Sequence, residues 1–278
     1  MRSGLHTLYR SRACAGEHVV VGGEVVPEPA LALAGLLGEL ESDGSTIPVV
    51  SLRVARRSDV DWVLPALRWL HTHGRRPILR TAISPPKALA EVAWECGATV
   101  LLELAHHRPA IQRALLGPDT DPSAALLLEA QHLAKLGVGV AVHLGPLIPG
   151  LHDRRGHLEP LLRHIRAASI RDVHLAVGRL TPARLRALDG AVDEATALAI
   201  RRSFGVRAGD QGESWRGGAR QLPRLAAAAL REGVRVLVRE QGLQIDACGC
   251  AAQCHLDGGG RPDYTPIDGG ELFAGVAS

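Results

Sequence analysis

Three cysteines fall within seven residues, Cys248, Cys250 and Cys254, in the stretch Asp246-Ala-Cys-Gly-Cys-Ala-Ala-Gln-Cys-His255. Gly249 allows a tight turn between the first two, so the three thiolates can converge on one centre. Thiolates suit zinc or an iron–sulfur cluster. Three of them leave one iron of a [4Fe–4S] cubane open, and His255 or Cys14 can close a four-ligand site instead. The Cys-x-Cys-x3-Cys spacing is not that of a zinc ribbon, and free or regulatory thiols are the other reading. A second concentration of chemistry lies in residues 137–153, an apolar run that ends in His143 and leads through Gly- and Pro-rich sequence to His152–Asp153. Cys96 shares a helical face with Leu89 and Val92 and reads as a core residue.

The 278 residues are enough to bury a large core as one domain, or one domain with an appendage. The formal charge of +3 is spread along the chain and leaves no nucleic-acid footprint. No apolar run approaches the ~18 residues of a membrane span, and Met1 to Gly16 lacks the hydrophobic block of a signal peptide. A soluble, cytoplasmic protein is expected.

Apolar strands alternate with helices along most of the chain. Strands are predicted at 18–26, 47–54, 77–83, 99–105, 137–143 and 172–178. Helices are predicted at 29–41, from the cap Ser58 to Gly74, from Ser84 to Gly97, from Asp121-Pro122 to Gly137, and near 158–168. The histidines outside the strands, including His71, His73, His106, His107, His132, His157 and His164, read as mostly solvated. Such alternation implies right-handed crossovers and a parallel sheet. The count favours an α/β fold with a partial (β/α)6 TIM-type barrel over residues 1–180. Residues 181–278 form a C-terminal extension of helices (181–189, 192–203, 219–232), a strand at 234–239 and the cysteine-bearing tail.

Successive strand side chains point to opposite faces. Val138, Val140 and Val142, with Val173, Leu175 and Val177, make a uniformly apolar face for the helices. The other face then carries Val49, Ser51 and Arg53; Ile78 and Arg80; Thr99, Leu101 and Glu103; Gly139, Ala141 and His143; and His174, Ala176 and Gly178. Arg53, Arg80, Glu103, His143 and His174 are the candidate cofactor-binding residues, set toward the strand ends where barrel enzymes place their sites. A buried Arg80–Glu103 ion pair is the structural alternative.

Gly145-Pro-Leu-Ile-Pro-Gly-Leu-His-Asp153 resembles a signature of the radical S-adenosylmethionine superfamily, in its spore photoproduct lyase-like branch. Pro77-Ile-Leu-Arg-Thr81 and Leu115-Leu-Gly-Pro118 with Asp121-Pro-Ser123 resemble further stretches of that branch. The resemblance runs from about Thr46 to Asp153, and more loosely to residue 240. It implies a partial barrel and places His143 to Ile148 near bound S-adenosylmethionine. The family's Cys-x3-Cys-x2-Cys loop is missing, and Arg53-Val-Ala-Arg-Arg57 stands where an acidic patch is expected.

Three functions follow as expectations. One is a divergent radical S-adenosylmethionine-like enzyme whose cluster sits on Cys248, Cys250 and Cys254. Another is a catalytically silent barrel that binds a protein or peptide partner, with zinc or no metal on its tail. A zinc-dependent barrel enzyme using His143 and His174 is a third.

Overall fold

The structure is a computed structural model. It describes residues 5–13, 16–23, 28–42, 44, 46–207, 210, 212, 215 and 218–246. The strands are β1 (Leu5–Ala13), β2 (Gly16–Gly23), β3 (Val49–Val54), β4 (Arg76–Thr81), β5 (Thr99–Leu104), β6 (Val140–Leu147), β7 (Asp172–Val177) and β8 (Gln244–Asp246). They form one sheet in the order β1 to β8, so each strand lies beside its successor in the chain. β1 and β2 are antiparallel, whereas β2–β3, β3–β4, β4–β5 and β6–β7 are parallel. An order without reversal is singly wound and lacks the switch point of a doubly wound sheet. The expected α/β fold, with a parallel sheet and alternating helices, is therefore observed. No described helix is long and apolar enough to cross a membrane.

The chain divides into two compact units, one built on Met1–Leu102 and Glu129–Ala141, the other on Glu103–Leu128 and Val142–Ile245. In the first, α1 (Pro29–Leu40), α2 (Val60–Thr72) and α3 (Lys87–Glu95) join the strands. α2 buries Val63, Ala66, Leu67 and Leu70, an i, i+3, i+4, i+7 stripe. Asp59 begins it in place of the expected Ser58, its carboxylate accepting from the Ala55 and Arg56 N–H groups at 2.8 and 2.9 Å. Past α1, the Glu41 carboxylate accepts from the Ile47 N–H at 2.6 Å and from the Arg75 guanidinium at 2.9 Å. The Arg75 hydrogen bond holds the Glu41 carboxyl below its ordinary range. Cys96 is buried beside Leu89 and Val92.

The second unit holds α4 (Pro109–Leu116), α6 (Arg155–Ala167), α7 (Pro182–Asp189), α8 (Glu194–Ser203) and α9 (Arg224–Glu240). α5 (Ser123–Lys135) precedes β6. The Thr181 hydroxyl caps α7 by accepting from the Arg184 N–H at 3.1 Å. The Asp193 carboxylate caps α8 by accepting from the Thr196 N–H at 2.8 Å.

Several elements differ from the sequence-based expectation, among them the short strand β8. Residues 234–239 are not a strand but the last turns of α9, which buries Leu230, Val234, Leu237 and Val238. That i, i+4, i+7, i+8 spacing overrides the local β-branched alternation, and Val236 is exposed. Pro109–Leu116 forms a helix where a loop is expected, with Pro at its start and Ile111 and Leu115 buried. Leu5–Ala13 adds a strand that pairs along the length of β2.

Candidate functional site

In the first unit, Val49, Ile78, Leu101 and Ala141 form one buried apolar cluster. Arg53 and Arg80, nearer the carboxyl ends of β3 and β4, are register partners and half-buried.

In the second unit, β6 and β7 are in register at His143 and His174. Their rings stack with centroids 4.8 Å apart and planes 24° apart. Their Nδ1 atoms lie 2.7 Å apart in a direct hydrogen bond. His143 is buried and His174 half-buried. Register also places Glu103. A Cβ on Gly139 would meet Thr99 Oγ1 at 3.6 Å, and Leu101 and Ala141 share the apolar cluster. Two residues further along both strands, alternation sets Glu103 on the same face as His143. Glu103 is only 1% exposed.

The loops beyond β5 and β6 carry a second set of imidazoles. His152 Nε2–H donates to the Ala105 carbonyl at 2.8 Å, and Nδ1 accepts from the Ile148 N–H at 2.8 Å. Those two bonds set its tautomer: the carbonyl requires a proton on Nε2 and the amide requires a bare Nδ1. The same logic orders His106. Its Nδ1 accepts from the Arg108 N–H at 3.0 Å, so Nε2–H donates to His157 Nδ1 at 3.2 Å. The His107 ring, stacked on His106 at 4.4 Å, donates from Nδ1 to the His157 carbonyl at 3.1 Å. Gln112 Oε1 accepts from the Ala105 and His106 N–H groups at 2.8 and 3.0 Å, closing the end of β5.

Burial, and then crowding by neighbouring imidazoles and Arg108, pushes the His106 pKa down to about 2. Burial also lowers His152, His107 and His157. The expectation that His106, His107 and His157 are mostly solvated is therefore wrong: His106 is buried and the other two are half-buried. His106 stands one residue past a strand-ending alanine, and that position was the signal that could have marked it. Gln112 carries no such signal, because no strand or helix is predicted from the sequence around it.

The end of β6 and the turn after it depend on missing side chains. A Cβ at Gly145 would lie 2.6 Å from the Ala176 carbonyl oxygen, and one at Gly178 would lie 2.3 Å from Pro146 Cβ. The Gly145–Pro146 peptide is cis. Gly150 has φ +84° and its N–H donates to Asp153 Oδ1 at 2.9 Å. The stretch 145–153 is thus the close-fitting end of β6 and the turn that follows, in which His152 fastens the β6 loop to the end of β5.

Among the described residues, no group of three or more His, Cys, Asp or Glu side chains is placed to hold a metal ion. Cys14, Cys248, Cys250, Cys254 and His255, the candidate metal ligands, lie outside the described residues.

No family model matches the chain, and no curated protein matches it. Among solved structures, SuiB of Streptococcus suis bound to the precursor peptide SuiA is 11% identical, with a TM-score of 0.47 over 82% of this chain and 44% of that one. SuiB bound to S-adenosylmethionine is 17% identical, with a TM-score of 0.37 over 55% of this chain and 35% of that one. HMG-CoA lyase of Brucella melitensis is 11% identical, with a TM-score of 0.39 over 80% and 86% of the two chains. The chain thus spans less than half the length of the SuiB structures it matches. Overlaps this loose carry nothing about chemistry.

Proposed function

We propose that this protein is a divergent radical S-adenosylmethionine-like protein that binds a small ligand at the carboxyl ends of its parallel strands and holds a [4Fe–4S] cluster on Cys248, Cys250 and Cys254. The observation that carries the binding part is the strand-end polar row Glu103, His143 and His174, with two imidazoles in direct contact. Supporting it are the singly wound order and the Gly145–Asp153 turn that resembles the family signature. Within the second unit, the imidazoles would take the hydrogen-bonding groups of a ligand. Three thiolates are the donor set that leaves one iron open, and such a cluster, when bound, supplies an electron to its ligand.

The measurement that tests this is the iron and sulfide content of anaerobically prepared protein, with and without Cys248→Ala, Cys250→Ala and Cys254→Ala combined. About four irons per chain are expected, lost in the triple variant. Colourless, iron-free protein after reconstitution removes the cluster.

A second reading is a catalytically silent protein that binds a protein or peptide partner, with zinc or no metal. It is favoured by a specific observation: the direct hydrogen bond between the His143 and His174 rings occupies one ring nitrogen of each. Stoichiometric co-purification with one partner, with zinc or no metal bound, would select it.

A further inference from the structure

The imidazoles of the loop after β5 form a hydrogen-bonded chain in which every link needs a neutral ring. We propose that His106 and His157 form a pH-operated clasp, which holds the loop after β5 against the first turn of α6 at neutral pH. In mild acid it releases that loop while the rest of the fold stays closed. The inference uses these loops alone and does not rest on the cluster or ligand reading above.

The Arg108 N–H donates to His106 Nδ1 at 3.0 Å, and His106 Nε2–H donates to His157 Nδ1 at 3.2 Å. Both accepting nitrogens are thus bare, and each already faces a donor. A further proton on His106 Nδ1 would point at the Arg108 N–H. One on His157 Nδ1 would point at His106 Nε2–H. Neither ring can become an imidazolium, with both nitrogens donating, without breaking a link of the chain. His107 differs. Its Nδ1–H donates to the His157 carbonyl at 3.1 Å, so its Nε2 can take a proton with that bond intact.

The charged groups that act on the chain come from every side of it. Arg108 precedes α4, His152, Asp153 and Arg154 lie in the turn before α6, His164 is on α6, and Asp193 caps α8. The two guanidiniums oppose a further positive charge at His157, and the two carboxylates favour it. Both carboxylates are already engaged, by the Gly150 and Thr196 N–H groups. Burial adds the largest cost at His106, which is 1% exposed and held down to about 2. Its proton is therefore taken up only once the ring has swung out. A ring lowered in the closed state gives a clasp that holds fully above the ordinary 6.5 and weakens as the pH falls below it.

Release stays local because the flanking elements have anchors of their own. Gln112 Oε1 accepts from the Ala105 and His106 N–H groups at 2.8 and 3.0 Å, so the end of β5 is held when the ring leaves. α6 is fixed by buried Leu158, Leu161, Leu162 and Ile165.

The test is nitrogen-15 NMR of the intact protein. At pH 7.5, Nε2–H tautomers are expected for His106 and His157, and the Nδ1–H tautomer for His107. Any other set overturns the clasp. Amide exchange, corrected for the intrinsic rate at each pH, then follows the opening. Below pH 6.5 the protection of the Arg108 amide is expected to fall about tenfold per pH unit for each proton taken up. The Ala105, Leu161 and Leu162 amides should keep theirs. Loss of all protection together marks global unfolding and overturns the proposal, as does an Arg108 amide that does not respond. In the double variant His106→Asn, His157→Gln, whose amide oxygens can accept without titrating, the Arg108 response should vanish. A response that persists there overturns the assignment to these two rings. None of these readouts involves iron, so loss of the cluster proposal leaves them standing.

Discussion

At the scale of single residues, the decisive group is His152. It is buried, and its two nitrogens serve a carbonyl and an amide on different loops. Removing it strands the Ala105 carbonyl and the Ile148 N–H, each costing about 1–3 kcal/mol when buried without a partner. His152→Ala is therefore expected to destabilise the protein by about 2–5 kcal/mol, read as a lower urea midpoint. His164→Ala, on an exposed surface of α6, should move the midpoint little. Equal effects of the two variants would contradict the latch. The same site shows the reach of residue-level reading. His143 and His174 were legible because strand alternation needs only sequence. Their mutual bond was not, because it depends on the register between two strands separated by a helix.

At the scale of elements, the β6–β7 contact is a fit of backbone against backbone. Gly145→Ala would press a methyl against the Ala176 carbonyl and is expected to cost about 1–3 kcal/mol. Gly139→Ala places its methyl at ordinary contact distance from Thr99, and should be nearly neutral. Thermal melts of both variants separate steric fit from a general intolerance of strand substitutions. α9 provides an opposite test. Gly233 sits in its interior, exposed, with open space where a Cβ would stand. Gly233→Ala is expected to stabilise the protein by about 0.5–1 kcal/mol, since glycine is costly inside a helix. No gain in melting temperature would count against a helix there. In the sequence alone, a glycine and three valines locally outweigh the longer 3.6-residue period, which the burial of one face makes decisive.

At the scale of the whole molecule, the lowered histidines make stability depend on pH in a defined window. His106 titrates near 2 when folded and near the ordinary 6.5 when unfolded. Below 6.5 the unfolded chain binds the extra proton, so stability is intact above that pH and falls as the pH drops. The slope approaches about 1.4 kcal/mol per pH unit for each fully suppressed histidine. His152, His107 and His157 are lowered in the same direction and add to it. The Glu41 carboxyl is held below its ordinary 4.5 and acts in a more acid range, leaving the interval from 6.5 to 4.5 to the histidines. Denaturation midpoints at pH 7.5 and 5.5 should differ clearly. The difference should shrink in His106→Asn, whose side-chain oxygen can still accept from the Arg108 N–H. A midpoint flat across that interval would sink the assignment.

Taken alone, the amino-acid order determined the alternation of helix and strand, the face on which each strand side chain lies, and the thiol cluster at 248–254. These are local properties, carried by periodicities of 3.6 and 2.0 residues and by spacing along one segment. Tertiary structure decided the rest. It chose helix over strand at 234–239 by burying one face, brought His143 onto His174 through register, and enclosed His106 and His152 between loops some 50 residues apart in sequence. Burial and partner choice are set by what the rest of the chain places nearby, which no single stretch of sequence encodes.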